Sequence, residues 1–109
     1  MIAQNYDDEN KVVLSGRLVQ DALLKYTLNK TPVLRFTLAV NTYYRDKKET
    51  LYIPVVSFGE LALEISSLVK KGVNVRVEGR LVNRKIKFSD EEEHKFIEVV
   101  ANKIEVFTK

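Results

Sequence analysis

The side chains of this chain best suited to chemistry are rings and cations rather than nucleophiles. Tyr52 and Phe58 stand six residues apart in a segment of two-residue period, so both rings leave the same face of a strand. Ile53 and Val55 leave the other face and can fill a core. Arg76, Arg80 and Arg84 recur at four-residue intervals in a later segment, and Lys85 and Lys87 follow them. Arg45, Lys47 and Lys48 make a third basic group, diluted by Asp46 and Glu49. Flat rings beside fixed positive charge suit a polyanion that carries flat faces of its own. An unpaired polynucleotide offers a π-face on every base and a negative charge on every nucleotide. Stacking on an aromatic side chain contributes about 1–3 kcal/mol per base. Plainer readings stand beside this one. The two rings can be covered by a helix or a second subunit, and the Arg45–Thr50 tip can be a solvated hairpin end. Glu78 can draw Arg76 and Arg80 into an ion-pair ladder.

Other chemistries find little here. There is no cysteine, so disulfides, thiolate nucleophiles and cysteine zinc sites are excluded, and His94 alone cannot build a multi-histidine metal site. Ser15, Ser57, Ser66, Ser67 and Ser89 share that one histidine as a base. No nucleophile elbow, phosphate-binding loop or dinucleotide fingerprint occurs. The paired acids Asp7 and Asp8 lie in the leader. Neither enzymatic activity nor a cofactor nor a metal is expected.

The elements that must hold the rings and cations fit in one domain, since the chain has 109 residues, 45% of them hydrophobic and 30% charged. No apolar run approaches the roughly 20 residues needed to span a bilayer. Residues 1–10 carry Asp7, Asp8 and Glu9 without a single Lys or Arg, unlike a secretory signal. A cytoplasmic location, with no membrane partner, is expected. The formal net charge is +3, but the acids are segregated into Asp7–Glu9 and Asp90–Glu93. Setting those seven aside leaves eight of the 15 acids against 18 bases, a surplus that suits a polyanion.

Five segments alternate as strands: Lys11–Val19, Pro32–Tyr44, Leu51–Phe58, Val73–Lys87 and Lys95–Phe107. Leu34, Phe36, Leu38, Val40, Val73, Val75, Val77 and Leu81 are expected to face inward, with Arg35, Thr37, Asn41 and Tyr43 outside. Alternation therefore favours Tyr43 over Tyr44 as an exposed ring, unless the strand twists or bulges there. Between the third and fourth strands, Leu61, Ile65 and Leu68 follow helical spacing. That spacing predicts a helix over Glu60–Val69, with Lys70 and Lys71 at its end and Gly72 as the C′ residue. Gly16 and Gly79 sit in matching Gly-Arg-Leu-Val contexts and mark bends in long strands. Five strands with a helix between the third and fourth is the order of the OB-fold, an all-β Greek-key barrel. Residues 1–10 form an acidic leader read as disordered, and 11–109 form the OB-fold domain.

Specific motifs then narrow the reading. Asn10-Lys11-Val12-Val13-Leu14-Ser15-Gly16-Arg17-Leu18 resembles the opening of bacterial single-stranded DNA-binding proteins. Arg35-Phe36-Thr37-Leu38-Ala39-Val40-Asn41, Ile53-Pro54-Val55-Val56-Ser57-Phe58-Gly59-Glu60-Leu61-Ala62, Val77-Glu78-Gly79-Arg80-Leu81 and Glu98-Val99-Val100-Ala101 follow in the family's order. The resemblance implies a homo-oligomer, a tetramer before a dimer, that coats single-stranded DNA in replication, recombination and repair. It implies contacts with replication or repair proteins and no catalysis. Its base-stacking aromatics fall on Tyr44, Tyr52 and Phe58. Its fourth falls on Ile86, which has no ring, and Phe88 two residues on is the candidate replacement. Its backbone-contacting bases fall on Lys47, Lys71, Arg84 and Lys85.

The departures from the family pattern are specific. Glu60 reverses the charge of a base that often follows the Phe-Gly pair. Ala22 replaces a proline in the first loop, and Leu28-Asn29-Lys30-Thr31 lacks its glycine. Tyr26 in that region is expected to pack against the barrel. His94 and the Asp90–Glu93 run are expected on a solvated loop tip. The family usually ends in a disordered acidic tail, whereas this sequence stops at Phe107-Thr108-Lys109. The expectation is a tail-less relative or a trimmed core. The alternative function is a tail-less primosomal accessory OB protein that binds single strands and replication-restart proteins.

Overall fold

The computed structural model describes residues 2–108; Met1 and Lys109, which belong to the leader and the chain end above, lie outside the described residues. The elements run β1 (Val12–Leu18), β2 (Leu23–Tyr26), β3 (Pro32–Tyr44), β4 (Lys47–Phe58), α1 (Gly59–Ile65), β5 (Asn74–Lys87) and β6 (Glu93–Phe107). Neighbours follow the order β1-β5-β6-β4-β3-β2, and β1 also pairs with β3. That pairing closes β1, β5, β6, β4 and β3 into a five-stranded OB-fold barrel. The β4–β6 contact is parallel and short, joining Val55 to Val99 and Val56 to Val100, while the other pairs are antiparallel.

Glycine makes the closure possible. β1 pairs with β5 as far as Arg17 and also meets β3 at Arg17 and Leu18, immediately after Gly16. A Cβ at Gly16 would fall on the Ala39 carbonyl oxygen. Gly79 approaches the Val100 carbonyl in the same way, beside a register shift in the β5–β6 ladder. The expected bends are therefore seams where two backbones come too close for any side chain.

Inside the barrel, Leu18, Leu34, Leu38, Val55, Val75, Val77 and Val99 are almost wholly buried. Ala62, Ile65 and Val69 plug it from the helical side. Three details differ from the sequence expectation. α1 stops at Ile65 rather than Val69, because Leu68 and Val69 both donate to the Ile65 carbonyl and Ser66 turns its hydroxyl onto the Leu63 carbonyl. Val69 is consequently the buried residue, Leu68 is half-exposed, and Lys70, Lys71 and Gly72 (φ 84°) belong to a later turn. Leu81, expected inward, is exposed, as is Ile97, because the β5–β6 hairpin runs on beyond the barrel. Finally, β2 is a strand absent from the alternation pattern. It lies at the sheet edge, paired only with β3, and this leaves Tyr26 exposed rather than packed.

Candidate nucleic-acid interface

The β3–β4 ladder is unbroken from Tyr44↔Lys47 to Val33↔Phe58. It turns through Arg45 (φ 50°) and Asp46 (φ 63°), two left-handed residues in the manner of a tight two-residue hairpin. The bulge that would bring Tyr44 onto the outer face is therefore absent, and the basic loop is itself strand from Lys47. The Thr50 hydroxyl donates to Asn41 Oδ1 at 2.7 Å and pins this register. Tyr43 shares a face with Asn41, Ala39 and Tyr52 by strict alternation. Tyr44 lies on the opposite face, with the Arg45 guanidinium 5.1 Å from its ring centre. Both rings are exposed, as the hairpin projects into solvent.

Tyr52 (64% exposed) and Phe58 (47%) stand on the outer face of β4, as their spacing requires. Lys47 and Lys71 are exposed, and neither side chain pairs with a carboxylate among the described residues. The Lys71 amide donates to Asp21 Oδ1 at 2.8 Å, which ties the turn after α1 to the first loop. On the hairpin, Lys85 lies 3.8 Å from Glu93. Phe88 is exposed and meets His94 edge to face at 4.9 Å, on the side shared by Ile86 and Arg84. The Ser89 hydroxyl accepts from the Glu91 and Glu92 amides and shapes the acidic tip. Arg76 lies 3.1 Å from Glu78 and 3.3 Å from Glu105, and Lys103 joins the same two acids. The ladder reading thus holds for Arg76. Arg80 is exposed, with no carboxylate partner among the described residues.

Between the first loop and the hairpin lies a cleft of about 450 Å³, lined by Asp21, Arg35, Pro54, Arg84, Phe96 and Glu98 among others. Glu98 in its wall is a buried charged residue, 5% exposed. Arg35 Nη1 lies 2.9 Å from Glu98 Oε2 and Arg84 Nη1 3.3 Å from the same atom. Burial pushes the Glu98 carboxyl above its usual range, against the pull of Arg84. The Arg84 guanidinium also lies over the Phe96 ring, 5.7 Å from its centre. Sequence reasoning placed Arg84 here but missed Arg35, Phe96 and Glu98 as site residues. Outward parity was the available signal for Arg35. A lone acid inside Phe96-Ile97-Glu98-Val99-Val100 was the available signal for Glu98.

A closed five-stranded barrel with exposed rings and cations along β3, β4 and the β5–β6 hairpin defines an OB-fold protein with an aromatic and cationic outer face. The Single-strand binding protein family profile matches residues 9–107, and the chain belongs to that family. It is 39% identical over 98 residues to a single-stranded DNA-binding protein of Caldanaerobacter subterraneus subsp. tengcongensis, covering 87% of this chain and 65% of that protein. A Thermotoga maritima protein of the same name is 40% identical over 98 residues, covering 85% of this chain and 70% of the relative. Single-stranded DNA-binding protein 1 of Streptococcus pyogenes serotype M18 is 33% identical over 103 residues, covering 92% and 79%. The chain therefore spans about two thirds of the length of the first two relatives. Among the described residues no helix is long and apolar enough to cross a membrane.

Proposed function

We propose that this chain binds and protects single-stranded DNA in replication, recombination and repair, without reading base sequence and without catalysis. The observation that carries the reading is the pair Tyr52 and Phe58, exposed on one strand beside a cleft edged by Arg35 and Arg84. Rings supply stacking that every base can satisfy, and cations supply attraction to every phosphate. Tyr43 continues the Tyr52 face along the hairpin, Tyr44, the ring the family resemblance picks, adds an exposed ring on the opposite face of its tip, and Phe88 extends the surface onto the second hairpin. Lys47, Lys71, Arg84 and Lys85 are the cations of the strand path, acting in the cytoplasm. Residues 11–109 act as the binding domain and 1–10 as a leader outside it. The working unit is a homo-oligomer, a tetramer before a dimer, and light scattering distinguishes the two. Fluorescence anisotropy with labelled oligo-dT and the matching duplex tests the reading. Tight, salt-sensitive binding of the single strand supports it, and equal affinity for duplex contradicts it.

A further inference from the structure

The hairpin that carries Arg84 presents Phe88 as an exposed ring near its tip. Ile86 has no ring, and the edge-to-face pairing of Phe88 with His94 occupies part of the Phe88 surface. On the same hairpin, the Arg84 guanidinium lies over the ring of its cross-strand partner Phe96, 5.7 Å from the ring centre, with Nη1 held by the buried Glu98. We propose that Arg84, shelved on Phe96 and anchored by Glu98, is a flat cationic platform on which one base of the bound strand stacks inside the cleft. This rests on the single-strand reading above and changes the role of Arg84 within it, from a phosphate contact to a base contact.

Charge bears on those roles. Glu98 engages both Arg84 and Arg35, so the three groups together carry one net positive charge rather than two. A phosphate at Arg84 therefore gains a weakened attraction, opposed by the nearby carboxylate. A neutral base suffers no such repulsion and gains both the planar guanidinium face and the low polarity of Pro54 and Phe96. The cleft also falls in the size range of small-ligand sites. Glu98 is then a positioning residue: it fixes the plane and height of a side chain that would otherwise sample many rotamers.

The test compares oligo-dT with an abasic oligonucleotide of equal length, which keeps every phosphate and removes every base. Arg84→Lys keeps the charge and loses the plane. It should weaken oligo-dT binding about tenfold, as the loss of one stacked base does, and leave abasic binding within twofold. Phe96→Leu, which removes the shelf without touching charge, should shift the ratio the same way. Glu98→Gln should lower the dT-to-abasic ratio in the parent and add nothing in the Arg84→Lys background, a non-additivity that general destabilisation would not produce. Equal losses on both oligonucleotides, no loss on either, or additive effects of the two substitutions would overturn the platform. If the parent protein fails to bind oligo-dT at all, the single-strand reading itself falls.

Discussion

Arg35 on β3 reaches across β4 to hold Glu98 on β6, with 2.9 Å between Nη1 and Oε2. The two strands are not neighbours, so the pair bridges the outer face of β4 beside Val56. This accounts for Val56, which is fully buried although its parity points outward. One ion pair thus covers an apolar residue of the outer face and fixes a wall of the cleft.

Breaking that bridge should be felt in stability. Glu98→Ala should lower the unfolding free energy by about 1–3 kcal/mol, since a buried hydrogen-bonded acid is lost but both arginines keep partial access to water. Urea unfolding measures this, and an unchanged midpoint would show the bridge to be incidental.

Glu98 also gives a pH dependence of definite sign. Burial raises its carboxyl above the ordinary value of 4.5, so the folded chain holds this proton more firmly than the unfolded chain. Its contribution is complete below 4.5 and is lost as pH rises through the raised folded value. Glu98→Gln, which cannot ionise, should therefore gain stability relative to the parent as pH rises across that window. Thermal melts of both proteins over the range check the sign.

Gly16→Ala should be among the most damaging small substitutions. Its methyl group would fall on the Ala39 carbonyl, where β1, still paired with β5, also meets β3 to close the barrel. A loss of about 1–3 kcal/mol or more is expected, the scale of overpacking in a tight interior. Denaturant unfolding against the parent provides the number.

Much of this architecture could be read from the residues. Alternation located the five barrel strands, and the Leu34-to-Val40 series did face inward. What failed was local detail that leaves no period: hydrogen bonds at a helix end and an element only four residues long. The helix lost its last turn to Ser66 and to shared bonds on the Ile65 carbonyl. β2 is too short to show a period, and it took Tyr26 to the exposed edge. Alternation and resemblance disagree on Tyr43 and Tyr44, and the unbroken ladder sides with alternation on which ring shares the Tyr52 face. The Arg35–Glu98–Arg84 group was hidden for a different reason: its members lie 63 and 14 residues apart and meet only when the barrel closes.

Glu60 offers a test of where the strand runs. It is exposed one residue past Phe58-Gly59, where a carboxylate opposes phosphate. Glu60→Lys should tighten oligo-dT binding severalfold and steepen its salt dependence by about one phosphate equivalent, roughly 0.7 in log–log slope. Unchanged binding would move the path away from the helix start.

The most direct test of the central claim is the pair Tyr52→Ala and Phe58→Ala, measured by anisotropy on oligo-dT in a salt titration with thermal melts alongside. Each substitution should weaken binding by about 1–3 kcal/mol, the worth of one stacked base, with little change in salt slope or melting temperature. Parent-like affinity in both variants would contradict the placement of the single strand on this face.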